Sequence, residues 1–178
     1  VKFCSIASLE GMKERSIIVD SCSKAFAMTG WRVGYAAGPA HIIDLMVKQQ
    51  EGMASCVNAP AQYAALEAIT NTEQAVSDMI QTFRRRRDLF VEGINNIDGL
   101  SCVKPKGAFY LFVNIKKTGL TSDEFAVRLL REAKVGVIPG SGFGDEGEGY
   151  VRISYVVSED DIREGLKRIE GFVRSLGL

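Results

Sequence analysis

Ser16-Ile17-Ile18-Val19-Asp20-Ser21-Cys22-Ser23-Lys24-Ala25-Phe26-Ala27-Met28-Thr29-Gly30-Trp31-Arg32-Val33-Gly34-Tyr35-Ala36-Ala37 decides how this chain is read. Its front, residues 16–20, is dominated by β-branched side chains and runs into turn formers, which predicts a buried strand. Residues 31–37 predict a second strand, with Trp31 and Tyr35 as packing residues on it. Between the two lie hydroxyls, a lysine and a Thr-Gly turn, and Arg32 follows Lys24 by eight positions. A lysine at the end of a buried strand is costly, because its ammonium gives up hydration there. Schiff-base chemistry uses such a lysine, since partial burial lowers the pKa and frees the nitrogen lone pair. The nearby serine hydroxyls, Ser21 and Ser23, and the Arg32 guanidinium suit a phosphate, the arginine through a bidentate fork.

The pattern Ser-x-Ser-Lys-x-Phe-x-Met-Thr-Gly-Trp-Arg-x-Gly-Tyr resembles the lysine segment of class I/II aminotransferases. These form the aspartate aminotransferase-like branch of the pyridoxal phosphate-dependent fold type I enzymes. The resemblance extends through the chain to Val151-Arg152-Ile153-Ser154-Tyr155. It implies that Lys24 holds pyridoxal 5'-phosphate as a Schiff base and then acts as general base, with the cofactor as electron sink. It also implies that Arg32 and Ser21 bind the cofactor phosphate. Ser23 is a further candidate for that job, with local hydrogen bonding as its plainer alternative.

Arg152 is the second expected site residue. An arginine centred in a β-branched strand calls for an anion or carboxylate partner, and a structural salt bridge is the ordinary one. The resemblance implies that it clamps the substrate α-carboxylate, which orients Cα–H for abstraction. Pro139-Gly140-Ser141-Gly142-Phe143-Gly144 has the look of a phosphate loop. It lacks the Gly-Lys-Ser/Thr ending, however, and a strand follows it instead of a helix. It matches the family's turn into the Arg152 strand. Asn58 matches a position that faces a neighbouring subunit's site.

Composition excludes several other functions. Basic and acidic residues balance at 22 each, so no charge excess favours nucleic acid or an anionic membrane. No apolar run reaches bilayer length, and Lys2, Lys13, Glu14 and Arg15 interrupt any leader-like start. Cys4, Cys22, Cys56 and Cys102 form no CxxC pair, so no metal site is expected and reduced thiols in a cytoplasmic protein are. The single histidine, His41, reads as a partly exposed first-turn residue. Arg84-Arg85-Arg86-Arg87 lies within a helical pattern, where the four side chains point around most of the circumference. A solvated or interface-facing stretch is the expectation.

Further along, periodicity predicts helices over 40–55 (face Ile42, Ile43, Met46, Val47, Gln50), about 60–70 (Ala64, Ala65, Leu66, Ile69) and about 72–95. Short strands are expected at 100–103, 108–114, 135–138 and 150–155. A helix opens at Thr121-Ser122-Asp123-Glu124, and a last one is capped by Ser158, with core face Ile162, Leu166, Ile169 and Val173. The expected fold class is α/β, the C-terminal part of the PLP-dependent transferase fold. It comprises a large-domain remnant at 1–57, connecting helices at 58–97, and a small α+β domain at 98–178 with helices on one face of its sheet.

The function expected from the resemblance is amino-group transfer between an amino acid, aspartate or aromatic in type, and a 2-oxo acid, in a homodimer. A lyase or decarboxylase of the same fold and a regulatory module without turnover are the alternatives. Because the pattern matched is the family's back part, the aspartate on the pyridine nitrogen, the tyrosine on the ring oxygen, the stacking aromatic and the earlier phosphate turn fall outside it. The 178 residues alone are therefore expected to be inactive, and strands 16–20 and 31–37 to expose edges.

Overall fold

The computed structural model describes residues 3–178. The chain divides into two compact units, the boundary falling between Asp78 and Met79. The first contains β1 (Ile18–Ser21), α1 (Cys22–Ala25), β2 (Gly34–Ala37), α2 (Ala40–Ala54) and α3 (Ala59–Asn71). α4 (Glu73–Asn95) carries the boundary in its first two turns.

β1 and β2 form an antiparallel pair, Ile18 opposite Ala37 and Ser21 opposite Gly34. Neither strand is buried: Val19 is 75% exposed, and Ile17 and Tyr35 are also open to solvent. The expectation of a buried strand at 16–20 is thus corrected. A β-branched run is buried only where a sheet and a covering layer flank it, and among the described residues β1 pairs with β2 alone. The second strand also starts later than expected, because Thr29–Trp31 form a 3-10 turn and Arg32 is left-handed. Trp31 and Tyr35 are accordingly exposed rather than strand packing. Of the predicted face of α2, Ile43, Met46, Val47 and Gln50 line an open cavity of about 450 Å³ with Val33, Gly34 and Ala36.

What is buried in this unit is the underside of the lysine segment. Cys22, Met28 and Val33 pack with Ala61, Ala65 and Ala68, which recur at helical spacing on α3. The large apolar residues of α3, Leu66 and Ile69, are exposed instead. Asn58 caps this helix, its side-chain oxygen accepting from Ala61 N at 3.0 Å. Alanine is the size this contact admits. Ala65→Leu is expected to cost about 1–3 kcal/mol through overpacking, read as a lower denaturation midpoint for this unit.

The second unit is an antiparallel sheet in the order β3 (Ser101–Cys102), β4 (Tyr110–Asn114), β6 (Tyr150–Ser154), β5 (Ile138–Pro139). One face is covered by the second half of α4, by α5 (Ser122–Arg128) with its π-type continuation Leu129–Ala133, and by α6 (Glu159–Ser175). Leu111, Val113, Val151 and Ile153 point into this core against Phe90, Ile94, Phe125, Leu129, Ile162, Ile169 and Val173. On α6, Phe172 joins the expected set and Leu166 packs at its edge. The strand expected at 135–138 shrinks to Ile138–Pro139, because Lys134 is left-handed and ends the helix abruptly. Thr121 and Glu124 close a capping box on α5.

The arginine run is held locally. Arg87 bonds Asp88 at 2.8 Å and donates to Pro105 O at 3.2 Å, while Arg85 reaches Glu159 at 3.6 Å. The hydrogen bond from Arg87, and next that from Lys104, hold the Asp88 carboxyl below its ordinary range. A lowered native pKa gives stability that is present above the unfolded value, about pH 4, and is lost as pH falls through the native one. Asp88→Asn is therefore expected to lower stability modestly at neutral pH and to flatten its fall toward acid, the two proteins converging below the native pKa of Asp88.

Candidate functional site

The lysine segment is built from a strand, one helical turn and a strained return. Ser21 ends β1, and its hydroxyl oxygen accepts from Ser23 N at 3.1 Å, capping the turn that carries Lys24. Cys22 N donates to Val33 O at 3.2 Å, which ties the turn to the residue just past Arg32. Cys22 and Met28 are buried on either side, while Lys24 itself is exposed on the turn. This corrects the expectation of a lysine at the end of a buried strand: the burial belongs to its neighbours, and Lys24 lies on an exposed turn.

Two non-glycine residues in this segment, Ala27 and Arg32, have φ near 54°. Left-handed backbone costs such residues about 1–2 kcal/mol each, and it persists only where the surroundings fix it. Here the buried Met28 and Val33 do so. Arg32 donates one N–H to Thr29 O at 3.1 Å. Because Ser21 pairs with Gly34, the backbone brings Arg32 to the same end of the two-stranded sheet as Ser21. Gly34 is obligatory there for space, since a Cβ would stand 2.6 Å from Asp20 O.

Asp20, which the sequence reading left unassigned, accepts from Ser21 N at 2.7 Å and from the Tyr35 hydroxyl at 3.3 Å. Local desolvation and the facing Asp20 carboxylate push the Tyr35 hydroxyl above its usual range. The pair sits directly cross-strand, and only the register of β1 on β2 reveals it.

Arg152 lies in the other unit, on the outer face of β6 between Ile138 and Phe112. Alternation puts Val151 and Ile153 in the core and Arg152 outside. Ser122 sets the start of this strand. Its buried hydroxyl accepts from Gly149 N at 2.9 Å and Tyr150 N at 3.3 Å, and donates to Gly147 O at 3.4 Å. The turn before the strand is the one expected from Pro139 to Gly144. Two 3-10 turns, Gly140–Phe143 and Asp145–Gly147, lead into β6. No carboxylate side chain pairs with Arg152 among the described residues, so the structural salt bridge that was its ordinary alternative is not formed. Its guanidinium lies instead 4.3 Å from the Tyr110 ring centroid and 4.5 Å from that of Phe143. No described helix is long and apolar enough to cross a membrane.

Ser21, Ser23, Lys24 and Arg32 thus share the first unit, and Arg152 stands in the second. The family model for aminotransferase class I and II matches residues 2–169. An aspartate aminotransferase of Pyrococcus abyssi is 51% identical over 176 residues, covering 98% of this chain and 45% of that protein. An aromatic-amino-acid aminotransferase 2 of Thermococcus litoralis is 49% identical over 172 residues, covering 96% of this chain and 44% of its own length. The crystal structure of an aromatic aminotransferase from Pyrococcus horikoshii superposes with a TM-score of 0.92 at 47% identity, covering 98% of this chain and 47% of that one. The chain belongs to the class I and II aminotransferase family and has the mixed α/β fold of the C-terminal part of its members. It spans a little under half the length of these relatives.

Proposed function

We propose that this chain is the C-terminal part of a pyridoxal phosphate-dependent aminotransferase that moves an amino group from an aspartate-type or aromatic amino acid to a 2-oxo acid. The observation that carries the reading is the lysine turn. Burial of Cys22 and Met28 on either side presents Lys24 outward, with the Ser21 hydroxyl and Arg32 gathered at one end of β1–β2. The names of the relatives, aspartate and aromatic, support the substrate class.

The donor set fits the cofactor. An amine suits its aldehyde, and a hydroxyl whose proton is uncommitted by its capping role, together with a guanidinium using one N–H on Thr29, suits its phosphate. Bound there, pyridoxal phosphate supplies the electron sink for breaking the substrate Cα–H bond. Lys24 Nζ holds and moves the proton at Cα. Ser21 Oγ and Arg32 donate to the phosphate, and Ser23 orders the turn through its backbone N–H. Arg152 takes the substrate α-carboxylate in its fork, so that orientation is set before the proton moves. The homodimer, the cytoplasmic location and the division at 1–57, 58–97 and 98–178 belong to the same proposal for the longer enzyme.

The test is amino transfer from aspartate or phenylalanine to 2-oxoglutarate by the longer enzyme, with the 178-residue chain run alongside. Turnover that Lys24→Ala abolishes is the expected result. Release of carbon dioxide or ammonia in place of amino transfer, or turnover indifferent to Lys24, contradicts the reading.

A further inference from the structure

Arg152 has its charge held in place but its donors unspent. Among the described residues its recorded partners are two rings, Tyr110 at 4.3 Å and Phe143 at 4.5 Å, with no ion pair or hydrogen bond. A ring face engages the flat of a guanidinium, whereas its five N–H donors lie along the edge. Stacking therefore fixes the group without consuming what a carboxylate needs.

The two rings are themselves placed by their neighbours. Tyr110 stands on β4, one diagonal step from Arg152, because Phe112 is its direct cross-strand partner. Phe143 ends the first 3-10 turn and meets Phe112 edge-on, at 6.2 Å and 80°. Phe112 in turn stacks on Tyr150 at 5.1 Å and 9°, and Lys116 Nζ closes the row 5.0 Å from the Tyr150 ring. The outer face of β4–β6 is thus a continuous row of rings and cations in which Arg152 has one fixed berth.

We propose that Tyr110 and Phe143 are positioning residues, which hold the Arg152 guanidinium edge-out so that a carboxylate meets a preformed fork. A long arginine side chain free in solvent must lose rotamer freedom when it binds, and a clamped one has lost it already. The inference rests on the reading of Arg152 as the carboxylate fork and adds what makes that fork rigid.

The experiment uses the 178-residue chain, labelled with nitrogen-15, and follows the Arg152 Nε–Hε signal, assigned by its loss in Arg152→Lys. Two readouts are taken: the order of that N–H vector in the free protein, and its shift on titration with 2-oxoglutarate. Tyr110→Leu and Phe143→Leu are each expected to loosen the vector and weaken binding about threefold to tenfold. Tyr110→Phe and Phe143→Tyr are expected to restore both. Unchanged near-ultraviolet dichroism in the leucine variants separates this from unfolding of the sheet. Leucine variants that keep both order and affinity overturn the proposal while leaving the carboxylate reading intact. An Arg152 signal that 2-oxoglutarate does not move in the native chain removes the carboxylate reading, and the proposal with it.

Discussion

Gly140→Ala is expected to unfold the second unit, while Gly142→Ala, two residues away, leaves it untouched. The difference is space. Gly140 is buried back to back with Gly147, and a Cβ on it would stand 2.6 Å from Tyr150 O and closer still to Gly147 O. Both obstacles are backbone, so neither gives way as a side chain would. A Cβ on Gly142 meets nothing within 4 Å. Gly144 needs glycine for a different reason, its φ of 115°. Relief at Gly140 requires moving it away from a second turn whose end, Gly147, the Ser122 hydroxyl ties to the start of β6. We expect a loss of about 4 kcal/mol or more, which ranks among the severe single substitutions. That is most of a small domain's stability. Denaturant titration followed by near-ultraviolet dichroism checks it, with Gly142→Ala as the matched control.

Arg152→Ala is expected to disable substrate binding without touching cofactor capture. Removing the fork leaves an α-carboxylate with no guanidinium to meet, a loss of about 2–5 kcal/mol for a hydrogen-bonded charge pair. In the longer enzyme that is roughly one and a half to three and a half orders of magnitude in kcat/KM for the amino acid. Lys24 stands in the other unit and keeps its buried supports, Cys22 and Met28, so labelling of its amine by pyridoxal phosphate is expected to be unchanged. Arg152→Lys keeps the charge but not the fork and is expected to recover only part of the loss. Steady-state kinetics with two donors, run beside the labelling assay, distinguishes a binding defect from a folding one. Arg152→Ala with wild-type KM assigns the residue to the sheet instead of the substrate.

Period-two alternation made the second unit legible. Leu111, Val113, Val151 and Ile153 fall on one face and Tyr110, Phe112 and Arg152 on the other, so the outward position of the arginine was readable from spacing. Its ring neighbours were not, because they depend on the register of β4 against β6 and on a turn that brings Phe143 back. The first unit shows two failures of a different kind. On α3 the sequence pattern named Ala64, Ala65, Leu66 and Ile69; Ala65 is in the packed face with Ala61 and Ala68 and Ala64 packs beside it, whereas Leu66 and Ile69 are exposed. Close approach to the lysine turn selects small side chains, and hydrophobicity alone does not report it. At β1 the composition described a strand with neighbours, and a run such as Ser16–Val19 is buried only when they stand beside it. The motif around Lys24 was legible in full, but its mechanics were not: a turn pinned by Cys22 and Met28, with left-handed Ala27 and Arg32, follows from packing rather than residue type.

The central claim, that Lys24 is the residue that takes the cofactor, is tested most directly by trapping. The 178-residue chain is mixed with stoichiometric pyridoxal phosphate, reduced with borohydride and digested, and the pyridoxyl group is located by mass spectrometry. The label is expected on Lys24 ahead of the other exposed lysines, and to disappear from that peptide in Arg32→Ala at the same cofactor concentration. A label spread evenly over Lys48, Lys104, Lys117 and Lys167, with Lys24 no more reactive than they are, contradicts the account.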